Sequence, residues 1–224
     1  MSTNIIIIIA ILIIPAIAQI LLSANYRRYR SMTNGAKISG FEVARAILDK
    51  NGLNNIHIVQ TTGNLSDHYD STRQVVRLSK DVFDGNTIAA LAVAAHECGH
   101  AIQDKNGYFF MRIRSFIFPV VKAATSFSYI LFFIALAIEA VDLMYVAIAL
   151  VAMGLIFQLI TLPVEFNASK IAKKQLQDLS LVKAEEVDGA TKMLFAAALT
   201  YVAGVLASAL NIVRLILIAN DRRH

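Results

Sequence analysis

His96-Glu97-Cys98-Gly99-His100 is the stretch against which the rest of this 224-residue chain is read. It follows an alanine-rich run, Ile88 to Ala95, whose composition favours helix. A helix returns to the same face after four residues, so the imidazoles of His96 and His100 can meet one metal ion, with Glu97 projecting beside it towards a bound water. That spacing points to hydrolytic zinc chemistry. The bland alternative, two ordinary helix histidines beside a surface glutamate, is weakened because the motif falls within a predicted helix rather than a turn. Cys98 is turned about 100° per residue away from its neighbours and reads as a small packed residue. Gly99 predicts a close approach by the sheet or by substrate, since glycine in a helix otherwise costs about 1 kcal/mol relative to alanine.

Working outward, residues 31–107 have the composition of a water-exposed catalytic domain. Ser39-Gly40-Phe41-Glu42 forms a capping box, Val43, Ile47 and Leu48 make one helical face, and Asn51-Gly52 is a stop. Ile56 to Val59 and Gln74 to Leu78 read as two strands of a short antiparallel sheet, with turn residues from Thr62 to Tyr69 between them. The motif helix, capped by Asn86 or Thr87, runs from about Ile88 to Lys105 and ends near Asn106-Gly107.

Apolar runs surround this domain. Hydrophobic residues make up 57% of the chain and charged ones 17%, against about 45–50% and about 25% in soluble domains. Residues 5–22, 116–138, 143–162 and 193–219 are each long enough to cross the hydrocarbon core of a bilayer. The first resembles a signal peptide only in Ala16-Ile17-Ala18; no Lys or Arg precedes it and Tyr26-Arg27-Arg28-Tyr29-Arg30 follows, so it reads as a span. Lys122, near the start of the second run, is expected to snorkel to the interface. Residues 163–192 form a ligand-bearing helical segment, with Pro163 expected to open a fresh helix. Ala196, Thr200, Gly204 and Ser208 form a small-residue ridge, and Asn211 and Arg214 are expected to pair or snorkel. The fold class is therefore α+β, mostly α: a multi-span membrane protein of about four transmembrane helices with a small catalytic domain. The net charge of +5 sits beside apolar runs rather than in a polar patch, so its partner is the membrane surface and not nucleic acid. One cysteine excludes an intramolecular disulfide.

A hydrolytic zinc needs a third protein ligand. The metzincin pattern is excluded, because Gln103 and Asn106 stand where Gly and His would follow His100. Of Glu165, Glu185, Glu186, Asp104 and His57, Glu165 is the best candidate, set among the small and polar residues Asn167, Ala168 and Ser169. Two spans separate it from His100, an even number of crossings, and the basic residues at 27, 28, 30, 112, 114, 170, 173 and 174 fall on the same side. The positive-inside rule makes that side cytoplasmic, with Arg222 and Arg223 the exception.

The runs Asp67-His68-Tyr69-Asp70, Val75-Val76-Arg77-Leu78-Ser79, Ala94 to Gln103, Leu162 to Ser169 and Ala197 to Tyr201 resemble the YugP-type neutral zinc metallopeptidases of bacterial membranes, from about Tyr26 to Leu215. The resemblance implies a relative of the HtpX and CAAX-protease gluzincins in the plasma membrane, with His96, His100 and Glu165 as zinc ligands and Glu97 as base. One departure is Ser169, where the wider relatives carry an Asp four residues after the ligand Glu; Ser169 or Asn167 is left to orient a ligand.

The expected reaction is zinc-assisted peptide-bond hydrolysis of membrane proteins or peptides at the cytoplasmic bilayer surface. Candidate oxyanion donors are His68, Tyr69, Tyr108 and Tyr201, and the Gln74–Leu78 strand is expected to offer an edge to substrate. The competing classes are a zinc-binding scaffold without turnover, which has no need of Glu97, and a metal transporter, whose spans would need more ionisable residues than Lys122 and Arg214.

Overall fold

A computed structural model describes residues 3–63, 66–180 and 182–223. Its elements in order are α1 (Thr3–Arg30), α2 (Gly40–Lys50), β1 (His57–Thr61), β2 (His68–Asp70), β3 (Val75–Ser79), α3 (Lys80–Phe83), α4 (Ile88–Lys105), α5 (Phe109–Ala137), α6 (Val141–Asp178) and α7 (Ala184–Asp221). The protein is mostly helical with one small sheet. Helices α1, α5, α6 and α7 are long and apolar enough to cross a membrane.

The chain divides into two compact units, and α1, α5, α6 and α7 each contribute residues to both. The first comprises the residues up to 19, 112–163 and those from 199 onward. Its interior is a helix-packing core of Phe132, Ala135, Met144, Ala147, Ile148, Val151, Leu215 and Ala219. Its outer faces are apolar, with Phe116 84% and Leu12 66% exposed, as expected of helices whose solvent is lipid. Here the short connector Ile138 to Ala140 turns through Glu139, whose φ of 59° closes the α5–α6 hairpin.

The second unit comprises residues 20–111 and 164–198. Its core gathers Val43, Ile47 and Leu48 of α2, Val76 and Leu78 of β3, the alanine face of α4, and Ala172 and Leu176 of α6. Local signals decide its boundaries. Ser39 accepts a hydrogen bond from the Glu42 amide at 3.2 Å while the Glu42 carboxylate accepts from the Ser39 amide at 2.6 Å, completing the capping box. Asn51 caps the other end of α2, and Gly52 follows with φ 65°. Thr87, rather than Asn86, caps α4 through Ala90 N–H. Because alanine lets neighbours approach on every side, α4 is buried from Ile88 to Gln103 except at Val93 and His96.

The sheet departs from the antiparallel pair expected. The order is β1-β3-β2, with β1 parallel to β3 and β2 antiparallel to it. Strand β2 falls at the end of the stretch read as a turn, of which residues 64 and 65 lie outside the described residues. Asp67 accepts from Ser79 N–H at 2.6 Å, and Asp70 accepts from the Thr72 and Arg73 amides, so the two aspartates tie down both ends of β2. The intervening loop carries no long alternation, and the three residues are held extended by this polar anchoring together with pairing to β3. Strand β3 is thus central and paired on both sides, which corrects its expected role as a free edge. Pro163 lies within α6 instead of opening a new helix. The acidic residues Glu185 and Glu186 form the first turn of α7 itself, where they suit the positive end of the helix dipole.

Candidate metal centre

Helix α4 presents His96 and His100 one turn apart, their rings edge-to-face with centroids 4.8 Å apart. Glu165, buried to 3% exposure, projects from α6 towards both. Its Oε2 lies 3.2 Å from His96 Nε2 and 3.7 Å from His100 Nε2. Tetrahedral zinc with bonds of about 2.0–2.1 Å sets its ligand atoms about 3.3–3.4 Å apart. The three side chains, with ligand atoms all within 4.8 Å of one another, therefore fit a zinc ion in both donor type and spacing. The remaining tetrahedral position is left for water or substrate.

Gly99 sets the approach of the two helices. A Cβ built on it would meet the Ala168 carbonyl oxygen at 2.7 Å, so this glycine admits the backbone of α6, not the sheet or substrate that its position in the sequence suggested. Two hydrogen bonds aim the histidines. His100 Nδ1 lies 3.0 Å from Gln103 Oε1, while Gln103 Nε2 donates to Val164 O at 2.8 Å and to Asn167 Oδ1 at 2.9 Å. With its amide nitrogen committed as donor, Gln103 accepts from His100 Nδ1–H and leaves Nε2 free as a ligand. His96 Nδ1 lies 3.3 Å from Ser169 Oγ. Burial opposes protonation of His100, but the hydrogen bond with Glu165 and the nearby carboxylates of Glu97 and Glu165 outweigh it and raise its pKa.

Glu97 is 8% exposed, and its Oε2 accepts from the Tyr69 backbone N–H of β2 at 3.0 Å. Tyr69 also donates its hydroxyl to Asp104 Oδ2 at 2.9 Å. Burial, then this contact with Asp104, push the phenol well above its ordinary pKa. Strand β2 is thus fastened to α4 at the candidate base and two turns beyond it. The Tyr69 hydroxyl is committed to Asp104, and His68 turns Nδ1 to Ser66 O at 2.8 Å.

The other ligand candidates lie elsewhere. Glu186 accepts from the Gly35 and Lys183 amides, Glu185 is exposed, Asp104 serves Tyr69, and His57 begins β1. Cys98 is fully buried and its thiol donates to Ala44 O at 3.6 Å; burial pushes its pKa up, so it stays a neutral packed thiol. Sequence reasoning passed over Gln103 as a ligating partner, although its place three residues after His100 puts it on the same helix face. The Tyr69 contact had no such signal, because it is made by backbone.

Comparisons with known proteins point to zinc peptidase chemistry. A putative membrane protease, YugP of Bacillus subtilis (strain 168), is 41% identical over 201 residues, covering 90% of this chain and 89% of that one. No solved structure matches the chain. The profile of a family described as "Putative neutral zinc metallopeptidase" matches residues 4–220, and the chain, with two imidazoles and a buried carboxylate converging on one point, belongs to that zinc metallopeptidase family.

Proposed function

We propose that the protein is a membrane-embedded, zinc-dependent endopeptidase of gluzincin type acting at the cytoplasmic face of the bilayer. The convergence of His96, His100 and Glu165 beside Glu97 carries this reading. His96, His100 and Glu165 hold the metal, and Glu97 is the general base. Bound zinc supplies Lewis acidity, polarising the scissile carbonyl and making water a better nucleophile. Glu97 accepts the proton of the attacking water and returns it to the leaving amine. The Tyr69 N–H fixes one oxygen of Glu97 and leaves the other to reach the water. Gln103 and Ser169 orient the two imidazoles from behind.

Strand β2 supplies the substrate edge in this reading. Among the described residues it pairs with β3 on one side only, and on its other side the Tyr69 N–H is held by Glu97. An extended peptide adding to that side lies along the candidate base. The cytoplasmic placement rests on the distribution of Lys and Arg along the sequence and on the even number of crossings between His100 and Glu165.

The test is to purify the protein in detergent, measure bound zinc, and compare cleavage of an unfolded protein by the native chain and by Glu97→Gln. The variant is expected to keep stoichiometric zinc and to lose about 10²–10⁴-fold in turnover, the usual contribution of a positioned proton carrier. Unchanged cleavage by the variant, or full activity after chelation, overturns the mechanism.

A further inference from the structure

A carboxylate in the last turn of a helix is repelled by the negative end of the helix dipole. Asp104 stands there in α4, one residue before the helix ends at Lys105. A residue placed against its local preference points to a use outside its own helix. The use on view is its hold on β2, since the Asp104 side chain accepts the Tyr69 hydroxyl at 2.9 Å.

Tyr69 meets α4 twice. Its backbone N–H donates to Glu97 Oε2 at 3.0 Å, and its side chain reaches Asp104. Glu97 and Asp104 are seven residues apart, so both lie on one face of α4, about 10 Å apart along its axis. One contact would leave the strand free to swing about it, whereas two fix its place along the helix. The other polar anchors of β2 act on the sheet. Asp67 accepts from Ser79, Asp70 accepts from Thr72 and Arg73, and the ladder joins β2 to β3.

Glu97 depends on that placement. Its side chain is long and flexible, and the Tyr69 N–H settles where Oε2 sits. Misplacing a reacting group by about 1 Å can cost about 10²-fold in rate. Burial and the contact with Asp104 keep the phenol protonated well above neutral pH, so it remains a donor.

We infer that Tyr69 and Asp104 form a positioning pair: their side-chain hydrogen bond sets β2 along α4 and, through the Tyr69 N–H, aims the Glu97 carboxylate for proton transfer. Both residues act through Glu97 and not on the reacting atoms. The inference rests on the peptidase reading for the role of Glu97, but the hold on β2 does not.

The experiment uses the full zinc-loaded chain in detergent with an unfolded, fluorescently labelled protein as substrate. Tyr69→Phe, Asp104→Ala, their double variant and Asp104→Asn are compared in kcat per bound zinc, KM, zinc affinity and amide exchange across β2. Tyr69→Phe and Asp104→Ala are each expected to lose about tenfold or more in kcat and to exchange faster across β2. KM and zinc affinity stay within about twofold, because the ladder to β3 still presents the strand edge and the metal ligands are untouched. The double variant falls no further than the worse single one, as required of two partners in one bond. Asp104→Asn, which keeps an acceptor oxygen, recovers most of the loss. Losses that multiply in the double variant, zinc affinity that falls in step with kcat, or an asparagine no better than alanine overturns the proposal. The exchange measurement separates it from the peptidase reading. Native cleavage by Glu97→Gln with faster exchange in Tyr69→Phe sinks the peptidase reading and leaves the hold on β2 standing. Native exchange and native kcat in Tyr69→Phe do the reverse.

Discussion

Gly99 is the residue at which the geometry of the metal centre is most exposed to a single substitution. In an ordinary helix Gly→Ala stabilises by about 1 kcal/mol. Here the new methyl would stand 2.7 Å from the Ala168 carbonyl oxygen, a backbone atom that cannot swing aside. Overpacking of this kind costs about 1–3 kcal/mol, so the clash wins and the sign reverses. Gly99→Ala is expected to lower the thermal midpoint and weaken zinc binding together, because α4 and α6 must part and carry His96 and His100 away from Glu165. A variant that gains stability and keeps its zinc affinity would show that the helices tolerate the separation. The two histidines and the glutamate beside them were legible in sequence because helix geometry alone fixes a spacing of four. What Gly99 touches was not, since close backbone contact between distant segments leaves no local pattern.

Between elements, the α4–α6 contact is held by Gln103, whose side chain joins His100, Val164 O and Asn167. Gln103→Met keeps the volume and removes all three bonds. It strands His100 Nδ1–H in a buried site, at about 1–3 kcal/mol for an unmet donor. Loss of such an outer partner typically costs 10–100-fold in metal affinity. Zinc competition titration should therefore show a fall of about that size, with Asn167→Ala, which deletes only the outer acceptor, falling less. Equal affinities for the native chain and Gln103→Met would remove Gln103 from the orientation of His100. The elements themselves were read well where caps and stops are local, as at Ser39, Thr87 and Gly52. They were misread where tertiary context decides. Two strands separated by turn residues suggested a hairpin, but Asp67 and Asp70 pin a third short strand between them in sequence, and β1 is left to pair with β3 in parallel. Pro163 suggested a helix start, yet α6 carries it internally, as long apolar helices often carry proline.

For the whole molecule, the crossing pattern decides where peptide bonds would be cut. Eight basic residues flank the apolar runs on the side assigned to the metal ligands, and Glu139 of the α5–α6 connector and Asp142 in the first turn of α6 stand on the other. Basic residues near span ends set orientation, whereas acidic ones contribute little, so the argument rests on the first group. Single-cysteine labelling checks it with little background, because Cys98 is fully buried with its thiol pKa raised and does not react while folded. Asp142→Cys and Lys173→Cys both replace exposed side chains. In intact cells a membrane-impermeant maleimide should label Asp142→Cys at once and Lys173→Cys only after permeabilisation. The reverse pattern would move the metal centre outside the cytoplasm and leave its chemistry unaltered. Arg222→Cys resolves the last crossing, where the charge rule is broken: labelling from outside means that α7 crosses despite its basic end, through a run of 38 residues that is ample for a tilted span. Protection of that site would return Arg222 and Arg223 to the rule and require the end of α7 to stay on the cytoplasmic side.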